Sequence, residues 1–217
     1  MNALRELPQN YTPTFRLDMN HDKKALIWLN VVGTLLLFLF GWLFFQWIVW
    51  LRPQAMGAMG FSVSSLVSWL IFIVVLVVAT AAVILIHEAV HGLTFWLLFH
   101  QKPTFGFRGA YAFAATPGWY LPRAPYLVVA LAPLIVLSLI CMGLMLVLPA
   151  AWLLYVLLFA ALNASGAVGD MAVAVRLLSR PAATLIEDTG ETITFYEERS
   201  GSSADEREES PSTDGRE

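Results

Sequence analysis

The segment His87-Glu88-Ala89-Val90-His91 carries the strongest chemical signal in this chain. On a helix, imidazoles at i and i+4 share one face and can chelate a single zinc ion. The glutamate between them is turned about 100° away, close enough to take a proton from a metal-bound water without ligating the metal itself. A catalytic zinc has three protein ligands and an open position, so the two histidines need a third partner. His100 stands nine residues beyond His91, on the opposite face of a continued helix, and His21 precedes the first apolar run. Between Ala25 and Arg180 the only carboxylates are Glu88 and Asp170, both inside apolar stretches. An unpaired charge there costs about 3 kcal/mol or more. Elimination therefore leaves His87, His91 and Asp170 as zinc ligands and Glu88 as general base. Two blander readings stay open: histidines bonding neighbouring helices with Glu88 paired to one of them, and Asp170 either paired with Arg176 or capping a break in span four. The pairing with Arg176 has a poor helical spacing of six residues.

Four apolar runs must position these groups: Ala25 to Leu51, Val63 to Ile86, Tyr126 to Leu148 and Trp152 to Leu178. Each reaches the roughly 20 residues that cross a bilayer as helix. With 58% hydrophobic and 13% charged residues, the chain lies outside the soluble range. The first run is too long for a signal-peptide core and is read as a retained span. The sequence predicts an all-α membrane protein of four transmembrane helices. A short cytoplasmic-side β-hairpin is expected between helices two and three, where the aromatics at 105, 107, 111 and 113 alternate and Pro117-Gly118 supplies a turn. A C-terminal hairpin is expected within 181–198, around Asp188-Thr189-Gly190-Glu191, and a short surface strand at Thr14 to Met19. The expected organisation is a leader over 1–24, a four-helix membrane domain over 25–180, that hairpin, and a disordered acidic tail over 199–217.

On one continuous fourth helix, Asn163 and Asp170 would lie two turns apart on one face. Asp170 precedes Leu178 by as many residues as His91 precedes Phe99, so the two would sit at matching depths, about 12 Å from their helix ends. The net charge of -3 conceals an acidic C-terminal stretch and a basic body. Arg5, Arg16, Lys23 and Lys24 precede the first span, Lys102, Arg108 and Arg123 follow the second, and Arg52 alone lies between the first two. The positive-inside rule then places both termini and the 100–123 loop in the cytoplasm of a multi-pass cell-membrane protein. No basic cluster with interleaved aromatics points to nucleic acid. The single Cys141 excludes an intrachain disulfide.

These residues resemble the site-2 protease type of intramembrane zinc metallopeptidase, and within it the small four-span "putative zincin peptidase" family of bacteria and archaea. The resemblance runs from about Leu7 to Tyr196 and rests on His87, Glu88, His91, the hairpin-like loop, Ala132-Pro133, Asn163 and Gly169-Asp170. It implies His87, His91 and Asp170 as ligands, Glu88 as base and Asn163 as a polarising or substrate-clamping group. Gly166 stands where the family pattern has proline, Met171 follows the aspartate in place of glycine, and the spacing is one residue shorter.

The function expected is hydrolysis of a membrane-embedded or membrane-proximal peptide bond by a zinc-activated water. A locally unwound substrate would add to a strand edge in the 104–114 region. The partners expected are a membrane protein or peptide substrate and the lipid bilayer. A non-catalytic metal-binding scaffold or chaperone, or a small metal or ion transporter, are the alternatives. A scaffold needs no base at Glu88, and an ion path needs polar residues in spans one and three, which nearly lack them.

Overall fold

The computed structural model describes residues 3–18, 22–59, 65–107 and 111–199. His21 and the 200–217 part of the acidic tail lie outside them. Helices dominate. α1 (Lys23–Leu51), α2 (Leu66–Phe99) and α3 (Arg123–Val147) are each long and apolar enough to cross a membrane. α4 (Ala150–Gly166) and α5 (Val168–Leu178) meet at a 44° bend and make a fourth span if the pair is counted as one. The composition behind this is apolar on all sides: Phe38, Leu85 and Val147 point outward, 71%, 71% and 76% exposed. A helix hydrophobic all round belongs in lipid, so this is a membrane protein.

The ends of these helices follow from local chemistry. Asp22 accepts the Ala25 N–H at the start of α1, and Ser65 accepts the Ser68 N–H at the start of α2. His100 takes a left-handed φ of 55° and stops α2. The unbroken fourth helix expected from sequence is corrected here. The helix breaks at Ala167, whose N–H returns to the Asn163 carbonyl while its own carbonyl opens α5 by accepting from Met171. Gly166 at the end of α4 weakens helix continuation by about 1 kcal/mol relative to alanine.

Among the described residues six strands accompany the helices: β1 (Tyr11–Asp18), β2 (Thr104–Phe107), β3 (Ala112–Ala115), β4 (Tyr120–Pro122), β5 (Leu185–Asp188) and β6 (Thr192–Glu198). β2 and β3 pair with each other. The remaining four form one antiparallel sheet in the order β1-β6-β5-β4. The leader is thus an edge of that sheet, and β5–β6 is its centre. The Pro117-Gly118 turn, with Gly118 at φ 75°, carries β3 into β4 and does not close the β2–β3 hairpin.

Two apolar clusters hold the assembly. Phe95, Leu121, Val129, Leu177, Ile186 and Phe195 join α2, α3 and α5 to the sheet. Phe44, Ile48, Met145, Leu153 and Ala164 join α1, α3 and α4. The chemically active side chains lie against both, since Asn163 adjoins the second cluster and Val129 belongs to the first.

Candidate metal centre

α2 presents His87 and His91 one turn apart, their rings 4.9 Å between centroids, and both are buried. The α4–α5 bend brings Asp170, in the first turn of α5, against them. Its Oδ2 lies 3.0 Å from His87 Nε2 and 3.4 Å from His91 Nε2. One ligand atom from each of the three residues falls within 4.8 Å of the others. Arg176 instead stacks over the Phe15 ring at 4.6 Å.

The partners behind the histidines fix which nitrogens face the cluster. His91 Nδ1 lies 3.0 Å from the Val129 carbonyl, which can only accept, so Nδ1 carries the proton. Asn163, fully buried, donates from Nδ2 to the Pro133 carbonyl at 3.2 Å. That orients its Oδ1 toward His87 Nδ1 at 3.0 Å, making this Nδ1 a donor as well. Both Nε2 lone pairs are left aimed at a carboxylate oxygen. Three acceptors converging on one point require a cation between them, or protons in its absence. Ligand atoms bonded to tetrahedral zinc at about 2.0 to 2.2 Å stand about 3.3 Å apart. The Nε2–Oδ2 distances of 3.0 and 3.4 Å bracket that value. The donor set and these two spacings therefore suit zinc.

Glu88, His91 and Asp170 line a cavity of about 110 Å³, together with Phe113, Tyr126 and Asp188. The Ala114 backbone N–H of β3 faces the Glu88 carboxylate. Asn163 does not line the cavity, and both ends of its amide are engaged. Its position is behind His87. Tyr126 and Asp188 were not singled out from the sequence. The buried Tyr126 hydroxyl donates to Asp188 Oδ2 at 2.7 Å, and the Gly190 N–H to Oδ1 at 2.8 Å. Burial raises the Asp188 carboxyl above its ordinary 3.8, offset in part by these two donors. No local pattern reveals such an acid, because its partner is 62 residues away.

A model of the family called "Putative zincin peptidase" matches residues 80–185, about half of the chain. The matched stretch contains His87, Glu88, His91, Asn163 and Asp170, and the match points to a zinc metallopeptidase. No curated protein and no solved structure matches.

Proposed function

We propose that this chain is an intramembrane zinc metallopeptidase of the site-2 protease type, hydrolysing a membrane-embedded or membrane-proximal peptide. The observation that carries this reading is the convergence of His87 Nε2, His91 Nε2 and Asp170 Oδ2 beside a cavity that also holds Glu88. Zinc at that point supplies Lewis acidity, bringing a water's pKa toward neutrality and polarising a carbonyl. The chain's own part is proton transfer and orientation. Glu88 accepts the proton of the attacking water on its carboxylate and returns it to the departing amine. Asn163 and the Val129 carbonyl keep both imidazoles turned the right way. β3 borders the cavity, and among the described residues it pairs only with β2. Its other edge suits an extended substrate segment, added as a strand.

A four-span topology is supported by the sheet. β1 precedes α1, β4 lies between α2 and α3, and β5–β6 follow α5, yet all four strands are hydrogen-bonded together. An even number of spans between them lets them meet on one side, which favours reading α4–α5 as one broken crossing.

The test is Glu88→Gln in detergent-purified protein, with zinc content and cleavage of a transmembrane peptide read together. Stoichiometric zinc should persist while cleavage falls by about 10² to 10⁴. Wild-type cleavage by the variant would remove Glu88 as base. Zinc in both forms with cleavage by neither would favour the scaffold.

A further inference from the structure

Pro133 sits inside α3 and is buried, where a proline has a cost and needs a reason. Lacking an N–H, it leaves the carbonyl four residues earlier without its helical donor, and its ring pushes that carbonyl outward. The residue four earlier is Val129, whose carbonyl accepts from His91 Nδ1 at 3.0 Å. Pro133's own carbonyl accepts from Asn163 Nδ2 at 3.2 Å, and Asn163 in turn holds His87 Nδ1 at 3.0 Å. A single residue of α3 therefore stands behind both imidazoles, one through the hydrogen bond it cannot make and one through the hydrogen bond it accepts.

We propose that Pro133 is a positioning residue for the metal centre, freeing the Val129 carbonyl so that it locks His91 with Nδ1 protonated and Nε2 aimed at Asp170. The proposal rests on the reading of His87, His91 and Asp170 as metal ligands. Prolines in membrane helices are tolerated when neighbours satisfy the freed carbonyl. Here the neighbour that does so is His91, one of the proposed ligands. An imidazole held this way is fixed in tautomer and rotation and is a better base toward a metal. Pro133→Ala restores an N–H that draws the Val129 carbonyl back along the helix. The Pro133 carbonyl position, and with it the arm through Asn163 to His87, survives the change and serves as an internal control.

The experiment compares wild type, Pro133→Ala, and a protein carrying alanine's α-hydroxy analogue at position 133. The last has an ester in place of the amide and so lacks both the ring and the N–H. Zinc affinity is measured by chelator competition, and Nδ1–H exchange at each histidine is followed by ¹⁵N NMR of the metal-free protein. Pro133→Ala should weaken zinc by about 10-fold or more, within the range for partners behind metal ligands. It should speed exchange at His91 but not at His87. The ester should recover most of both losses. Equal losses in the alanine and ester proteins, or unchanged His91 exchange in Pro133→Ala, overturn the proposal. Should Pro133→Ala fail to fold, the ester decides alone: near-wild-type affinity and exchange support the proposal, and a full loss overturns it. Should wild type take up no zinc while the exchange pattern holds, the metal reading fails and the orientation of His91 by Pro133 stands.

Discussion

The proposed metal centre turns on Asp170, because the histidines alone would leave zinc two ligands. Its Oδ2 lies within 3.4 Å of both Nε2 nitrogens. Asp170→Ala should lower zinc occupancy sharply, and Asp170→Asn less so, since an amide oxygen still ligates. Stoichiometric zinc in the alanine variant, measured after chelator challenge, would leave only the two histidines at the site. Asp188 gives a different test. Its raised folded pKa means that the folded state holds this proton more tightly than the unfolded chain. The resulting stability is present below the unfolded value of 3.8 and is lost as pH rises through the folded value. In chelator-treated protein, thermal midpoints measured from about pH 4 to 7 should therefore fall more steeply for wild type than for Asp188→Asn. Parallel curves would mean that this carboxyl is not shifted. Tyr126→Phe removes one of the two donors to the buried Asp188 and should cost about 1 to 3 kcal/mol, read as a lower midpoint at neutral pH.

At the scale of elements, the β2–β3 hairpin is pinned over the cavity by close backbone contact. Gly190, at φ 82° in the β5–β6 turn, lies under the Phe113 ring, and a Cβ there would run into it. Gly106 makes the same approach from the paired strand. Gly190→Ala should therefore strain the turn and lift the hairpin, costing about 1 to 3 kcal/mol. Chelator should then strip zinc faster, because β3 covers Glu88. Adding Phe113→Ala should relieve the collision but not the positive-φ strain. A single variant as stable as wild type would show that the hairpin is not seated there. The sequence made the apolar helices readable, because their signal is contained within each run. The i, i+4 histidines were readable for the same reason, and Asp170 by elimination. The four-stranded sheet was not, since Tyr11 pairs with Glu198 and Tyr120 with Glu187, and no local pattern encodes partners that distant. The α4–α5 break was legible only as an option, since a glycine and small neighbours permit it without compelling it. The partners behind the histidines were half hidden. That Pro133 frees the Val129 carbonyl is arithmetic on the sequence, but that His91 takes it depends on how α2 packs against α3.

For the whole molecule, the sheet and the charges bear separately on orientation. The sheet gathers β1, β4, β5 and β6 at one end of the helices, and Arg16, Lys23, Lys24, Arg123, Arg176 and Arg180 lie in or beside those strands. At the other end Arg52 donates to the Met145 and Leu148 carbonyls at 3.0 and 2.5 Å, where it serves the C-terminus of α3. Its charge is thus engaged in packing, and the excess of cations at the sheet end is the stronger topological signal. α2, with 34 residues, is about 51 Å long and exceeds a hydrocarbon core of about 30 Å, so it must tilt or protrude. His91 stands eight residues before Phe99, about 12 Å from the sheet end of α2, which sets the proposed metal centre toward that face. The expected outcome is a cytoplasmic sheet. In a Cys141→Ser background, Thr12→Cys should react with a membrane-impermeant thiol reagent only in inverted vesicles, and Gln54→Cys only in intact cells. Reaction of both from the same side would break the four-span arrangement. Reaction of each from the opposite side to that expected would keep the fold but turn the centre outward, so that a substrate would be cut near the outer face.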